Sequence, residues 1–172
     1  MARIFGGNQN QAKTKRVVGT YGYMSPEYVM RGQFSEKSDV FSFGVLLLEI
    51  VSGRRNTSFC NDQYALSLLG YVWKLWNEGN IWDLVDKVIS KSESDLKNKK
   101  EIWRCIHVGL LCVQEYAKDR PTMSTIVSML NSEISDLNTP KQPAFTQALL
   151  ISDDFEDCIS FNDVTLTGFD GR

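Results

Sequence analysis

The sequence is poor in the residues on which many catalytic and structural designs depend. It holds one histidine, His107, which excludes metal centres and catalytic arrangements built on several imidazoles. Its four cysteines, Cys60, Cys105, Cys112 and Cys158, form no C-x-x-C pair. A zinc site or a disulfide framework is therefore unsupported, and the chain reads as cytosolic. No apolar run exceeds four residues, as at Val45 to Leu48, whereas a membrane span needs about 18. The start, Met1-Ala2-Arg3-Ile4-Phe5-Gly6-Gly7, shows no apolar h-region, so no secretory signal is expected. Neither sign of charge dominates: 19 basic side chains stand against 21 acidic ones, a net charge of −2. Nucleic acid is accordingly not expected as a partner.

What is present suits one globular domain. The 172 residues are 42% hydrophobic, enough to bury a sizeable core and too much for a disordered chain. Charge is unevenly spread. Residues 1–138 carry 17 basic and 15 acidic side chains, and residues 139–172 carry two and six. The change falls at Thr139-Pro140-Lys141-Gln142-Pro143, where paired prolines discourage a helix. Residues 139–172 read as an irregular acidic tail, with a short extended piece at Val164-Thr165-Leu166. The first thirty-odd residues read as a loop. Glycines and polar residues run to Lys15, then Gly19 and Gly22 punctuate an aromatic stretch ending at Ser25-Pro26-Glu27. A loop of that length inside a domain is usually functional, the alternative being a frayed terminus.

From Glu36 to Ser52 almost no polar face remains, which predicts a central helix, capped by Ser35 and stopped by Gly53. Leu66, Leu69, Trp73 and Trp76 recur at helical spacing, as do Ile102, Cys105, Ile106, Gly109, Cys112 and Val113. Met123, Ile126, Val127 and Leu130 follow Pro121 and a capping Thr122. A shorter stripe, Ile81 to Ile89, predicts one more helix or half of one, and Lys91 to Lys100 reads as a polar connection. The fold class is mainly α.

Taken residue by residue, little chemistry is exposed. His107 lies in an apolar stripe with no acidic or hydroxyl residue three or four positions away, so it reads as a structural histidine. Cys105 and Cys112 share one helical face and read as core neighbours. Glu27, after Pro26, and Arg120, before Pro121, both lie where the chain turns. Arginine's planar fork matches a carboxylate, but nothing local joins the two.

Three stretches together resemble the protein-kinase family. Val18-Gly19-Thr20-Tyr21-Gly22-Tyr23-Met24-Ser25-Pro26-Glu27-Tyr28 is similar to the end of an activation segment, with Ser-Pro-Glu for the commoner Ala-Pro-Glu. Lys37-Ser38-Asp39-Val40-Phe41-Ser42-Phe43-Gly44-Val45-Leu46-Leu47-Leu48-Glu49 resembles the buried central helix of the kinase C-terminal lobe. Asp119-Arg120-Pro121-Thr122-Met123 resembles the arginine-bearing turn near that lobe's end. The wording of the first motif is similar to plant receptor-like serine/threonine kinases. Pro143-Ala144-Phe145 and Asn162-Asp163-Val164-Thr165 resemble the extension of the S-locus (G-type lectin) type.

The resemblance implies a division into residues 1–35, the later activation segment and substrate-docking loop; 36–138, the helical lobe; and 139–172, the tail. It implies that Gly19, Thr20, Tyr21, Gly22 and Tyr23 form the docking loop, with Thr20 helping to position a catalytic aspartate. Thr14, with Thr20 second, is implied as an activating phosphosite, and Arg16 adds positive potential there. Glu27 is implied to pair with Arg120, and Asp39 to anchor the catalytic loop. Intact members use ATP and magnesium, phosphorylate proteins, and are plasma-membrane receptors with a cytoplasmic kinase domain.

The groups that perform phosphoryl transfer are missing. No G-x-G-x-x-G, no Val-Ala-Ile-Lys, no His-Arg-Asp and no Asp-Phe-Gly occurs; His107 precedes Val108, and Phe43-Gly44 follows Ser42. Met1-Ala2-Arg3 resembles the residues that follow Asp-Phe-Gly in the family, so the catalytic machinery is expected upstream. No catalytic, cofactor-binding or metal-binding residue is therefore assigned here, and this chain alone is expected to be inactive. The alternative is a binding module that engages protein substrates, signalling proteins, the kinase part it lacks, or a full-length receptor kinase. Apolar surface on the central helix and marginal stability are also expected.

Overall fold

The computed structural model describes residues 11–20, 22–56, 67–90, 96–131 and 136–146. Its elements in order are strand β1 (Gln11–Lys13), helix α1 (Pro26–Arg31), strand β2 (Gln33–Ser35), and helices α2 (Glu36–Ser52) and α3 (Leu68–Glu78). A 3-10 turn (Ile81–Leu84), α4 (Lys87–Ser90) and α5 (Leu96–Cys112) follow, then a second 3-10 turn (Ala117–Asp119) and α6 (Met123–Leu130). Mainly helical architecture was the expectation, and the described residues have it.

Helix α2 is central. Ser35 accepts a hydrogen bond from the Lys37 amide, Ser38 reaches back to the Ser35 amide, and Gly53 ends the helix at φ 65°. Helix α5 crosses it at two glycines. A Cβ on Gly44 would lie 2.5 Å from the Cys112 Cβ, and one on Gly109 would lie 2.8 Å from Leu48 Cδ2. Phe41, Val45 and Leu48 of α2, Leu68, Leu69 and Val72 of α3, and Ile106 and Leu110 of α5 form the larger core, with Ala144 added from the end of the described chain. Val40, Val108, Leu111, Cys112, Ile126 and Met129 form a second core that seats α6. Thr122 caps α6 by accepting from the Thr125 amide.

Three expectations need correction. The first segment is not all loop: β1 and β2 pair antiparallel with Ala12 opposite Phe34, and α1 lies between them. Two three-residue strands carry no periodic signal, and Pro26 suits the first turn of a helix. The lysine-rich connection is shorter than 91–100, because α5 already begins at Leu96; lysine is a good helix former on a solvated face. The stripe from Ile81 to Ile89 divides into a 3-10 turn and the four-residue α4. Cys60, Cys158, Leu66, Val164-Thr165-Leu166 and Asn162-Asp163 lie outside the described residues. Cys105 and Cys112 are free, and burial pushes the Cys112 thiol up to about 12.

His107 is a core residue, 5% exposed. Its Nε2 lies 2.8 Å from the Asn138 carbonyl oxygen, so the ring donates there, and its Nδ1 has no hydrogen-bond partner among the described residues. Trp76 and Trp103 flank the ring at 5.0 and 4.8 Å. Burial, helped by the Arg104 charge, outweighs the Asn138 bond and lowers its pKa.

Candidate functional site

Arg120 is 2% exposed and uses all five of its N–H donors. Nη1 donates to Glu27 Oε1 at 2.8 Å and to the Lys37 carbonyl at 3.0 Å. Nη2 donates to Glu27 Oε2 at 3.0 Å and to the Glu115 carbonyl at 2.9 Å, and Nε donates to the Gln114 carbonyl at 2.8 Å. The fork meets the carboxylate on both oxygens, a geometry lysine cannot reproduce. The guanidinium also lies 5.0 Å over the Phe41 ring. Ser38, part of the α2 capping box, donates to Glu27 Oε1 at 3.1 Å. Lys37 Nζ donates to the Arg120 carbonyl. Burial alone would raise the Glu27 pKa, but the hydrogen bonds and charge of Arg120 outweigh it and hold the carboxyl below its usual range.

This knot fixes α1 against the start of α2 and positions the segment before it. Tyr28 Oη donates to the Val18 carbonyl at 2.9 Å and accepts from the Val18 amide at 3.1 Å. Ser42 of α2 donates to the Tyr23 carbonyl at 2.6 Å, and Asn56 Nδ2 donates to the Gly22 carbonyl at 2.9 Å. Tyr23 Oη donates to Glu49, and burial with that carboxylate pushes the phenol up to about 12. Gly22 and Tyr23 are thus held from α2 and its C-terminal extension, and Val18, next to Gly19, from α1; Tyr21 lies outside the described residues.

A cleft of about 610 Å³ opens beside this loop, lined in part by Gly19, Thr20, Tyr23, Asp39, Ser42 and Leu46. Thr20 and Asp39 are both exposed at its wall. Thr14 lies elsewhere, just after β1. Its hydroxyl donates to the Arg16 carbonyl at 2.9 Å and accepts from the Arg16 amide at 3.2 Å. The structure therefore brings Glu27 to Arg120 and sets Thr20 and Asp39 along one cleft, but leaves Thr14 apart from it.

Tyr28, Ser42, Glu49 and Asn56 were not singled out from sequence. Tyr28, Ser42 and Asn56 bond backbone groups 10 to 34 positions away, and Glu49 bonds the Tyr23 hydroxyl 26 positions away; such bonds leave no periodic trace. Tyr28 alone had a local signal, as the aromatic directly after the marked Glu27.

A family model for protein tyrosine and serine/threonine kinases matches residues 1–130. A G-type lectin S-receptor-like serine/threonine-protein kinase of Arabidopsis thaliana is 55% identical over 179 aligned residues, covering 100% of this chain and 20% of the relative. Another from that plant, SD1-13, is 56% identical over 177 residues, covering 100% and 21%. The chain thus spans about a fifth of the length of these relatives. Among solved structures, the pseudokinase domain of BIR2, an immune regulator of the RLK/Pelle family, is similar with a TM-score of 0.56 and 28% identity. That match covers 66% of this chain and 33% of the BIR2 chain. The chain belongs to the protein tyrosine and serine/threonine kinase family, and it is similar throughout its length to plant G-type lectin S-receptor-like members.

Proposed function

We propose that this chain is the later, helical part of a receptor-like serine/threonine kinase domain. Residues 1–35 serve as the end of its activation segment and its docking loop, 36–138 as its scaffold, and 139–172 as an acidic extension. The observation that carries this reading is the Glu27–Arg120 pair, which joins residues 93 positions apart and ties the segment to the helical lobe. The intact protein's reaction is ATP-dependent phosphorylation of protein serine and threonine, in a membrane receptor whose kinase part faces the cytoplasm. Among the described residues no helix is long and apolar enough to cross a membrane.

ATP and magnesium do not fit the residues present. The sequence contains no glycine-rich phosphate loop, paired lysine, His-Arg-Asp or Asp-Phe-Gly, and no cluster of candidate metal ligands occurs among the described residues. No step of phosphoryl transfer is assigned to this chain. What its residues do is position: Tyr28, Ser42 and Asn56 hold the docking loop, and Asp39 stands at the cleft wall to anchor a catalytic loop. Phosphate on Thr14 would replace its bonds to Arg16 with charge-assisted ones to the basic run Lys13, Lys15 and Arg16. The test is purified chain incubated with magnesium and labelled ATP. No binding and no transfer are expected; transfer that persists after removal of contaminating kinases overturns the reading.

Leu46 and Ile50, 46% and 59% exposed on a helix whose other apolar side chains are buried or half-buried, favour a second reading. In it the chain is a non-catalytic module that engages protein substrates or another kinase chain through that face.

A further inference from the structure

Residues 136–146 fall beyond the kinase match at residues 1–130, and residues 139–146 lie in the part that reads from composition as an acidic tail. They have no helix or strand, yet they are strapped into the lobe. The Ala144 amide donates to the Val113 carbonyl at 3.1 Å, and the Glu115 amide to the Gln142 carbonyl at 3.4 Å. The Lys141 amide donates to Gln114 Oε1 at 2.9 Å, and Gln114 forms a bridge with Pro143. Ser67, the cap of α3, donates to the Phe145 carbonyl. Pro140, Pro143 and Ala144 are buried. The compositional change at Thr139 is therefore not a packing boundary.

Two features of the strap point at Arg120. It pairs with residues 113–115, and the carbonyls of Gln114 and Glu115 are two of the five acceptors that hold the guanidinium. Phe145 sets its ring edge-on to Phe41 at 6.2 Å, and Phe41 is the ring over which Arg120 lies. Phe145 does this with φ 52°, and it is the only non-glycine with positive φ among the described residues. A bulky side chain adopts that left-handed backbone at a cost, so the surrounding contacts must over-determine it.

We propose that Phe145 is a positioning residue: docked on Phe41, it fixes the strap and with it the platform of Phe41, Gln114 and Glu115 that aims Arg120 at Glu27. The strap thereby controls the order of the segment from Val18 to Arg31. This goes beyond the activity proposed above. The coupling is read by hydrogen exchange and the activity by phosphate transfer, so either can fail alone.

The experiment follows amide hydrogen exchange across the 172-residue chain. Phe145→Ala is expected to speed exchange of Val29 and Gly32, the amides bonded to Ser25 and Tyr28, by about tenfold or more. Phe145→Tyr, which keeps the ring, should restore the wild-type rate. Leu84→Ala, a core change far from Arg120 in sequence and adjusted by denaturant to equal global stability, should leave these amides at the wild-type rate. Gly70→Ala provides an independent route, because its Cβ would sit 1.7 Å from the Thr146 carbonyl oxygen and wedge the strap away without touching Phe145. It should loosen the same amides and keeps the test alive should Phe145→Ala not fold. Faster exchange confined to 136–146 and the first turn of α3, with Val29 and Gly32 unchanged in whichever of Phe145→Ala and Gly70→Ala fold, overturns the proposal. So does an equal loosening in Leu84→Ala.

Discussion

Between Glu36 and Ser52 the chain is fixed by apolar burial, whereas between Gln11 and Ser35 it is fixed by polar bonds to partners far along the sequence. Val40, Phe41, Val45 and Leu48 are fully buried in α2, while α1 has no buried residue at all. The segment is held instead by one bidentate ion pair, a tyrosine bonded to both the amide and the carbonyl of Val18, and Ser42 and Asn56 aimed at its carbonyls. The difference bears on regulation. Burial is spread over many contacts, so a buried helix opens only with the core around it, but a segment held by a few directional bonds can be released locally. A region that must be switched is better built in the second way.

The largest expected effect tests whether the polar knot matters as much as the core. Arg120→Ala leaves Glu27 half-buried without its partner and deprives three carbonyls of their donors, so a loss of about 3–5 kcal/mol is expected in urea unfolding. Leu48→Ala, a cavity at the α2–α5 crossing, should cost about 2–5 kcal/mol. The two should part in limited proteolysis. At equal global stability, Arg120→Ala should be cut between Val18 and Arg31, and Leu48→Ala should show no preference there. Cleavage at the same sites in both variants would erase the contrast between the two regions.

Legibility in the sequence follows the same division. Helix α2 could be read to its ends, because an all-round apolar run, Ser35 and Gly53 are local signals, and α6 likewise after Pro121 and Thr122. Helix α5 lost its first turn to a lysine-rich start that reads as a connection. The pairing of Glu27 with Arg120 was expected only through family resemblance, since a separation of 93 positions carries no physical trace of it. Phe145 lay in a motif seen as part of a tail. Its contact with Phe41 depends on a left-handed backbone that no propensity for phenylalanine would suggest. Apolar periodicity reveals what is buried together, and it is silent on which polar side chain crosses the fold to meet a given carbonyl.

A smaller effect sharpens the comparison by pH, because the helical core around α2 and the polar segment each contain a titrating group. In the core, burial lowers the His107 pKa, so the unfolded chain binds the proton first as the solution is acidified. Its contribution is intact above the unfolded value of about 6.5 and is lost as pH falls through the lower folded value. Glu27 also has a depressed folded value, so its contribution is intact above the ordinary value of 4.5 and is lost only at more acid pH. Stability should therefore fall in two stages, the histidine stage first. His107→Gln should flatten the decline that begins near pH 6.5 and leave the acid stage in place, whereas Glu27→Gln should do the reverse. A single merged transition unaffected by either variant would show that the two regions do not titrate separately.

The smallest expected effect concerns an ion pair of the strap, between Lys141 Nζ and Asp119 Oδ1 at 2.8 Å. The distance equals that of Arg120 to Glu27, but the Lys141 side chain is 67% exposed and that of Arg120 is wholly buried. In water the Coulomb gain is screened, and ordering a lysine side chain offsets much of what remains. Lys141→Ala should therefore change stability by no more than about 1 kcal/mol, with the residual effect vanishing in molar salt. The Lys141 amide, not its ammonium, is what the strap uses, since it bonds Gln114 beside the carbonyl that holds Arg120. Lys141→Pro removes that amide donor and should loosen the strap where Lys141→Ala does not. Equal hydrogen exchange at Ala144 in the two variants would mean that the backbone bond contributes no more than the surface charge.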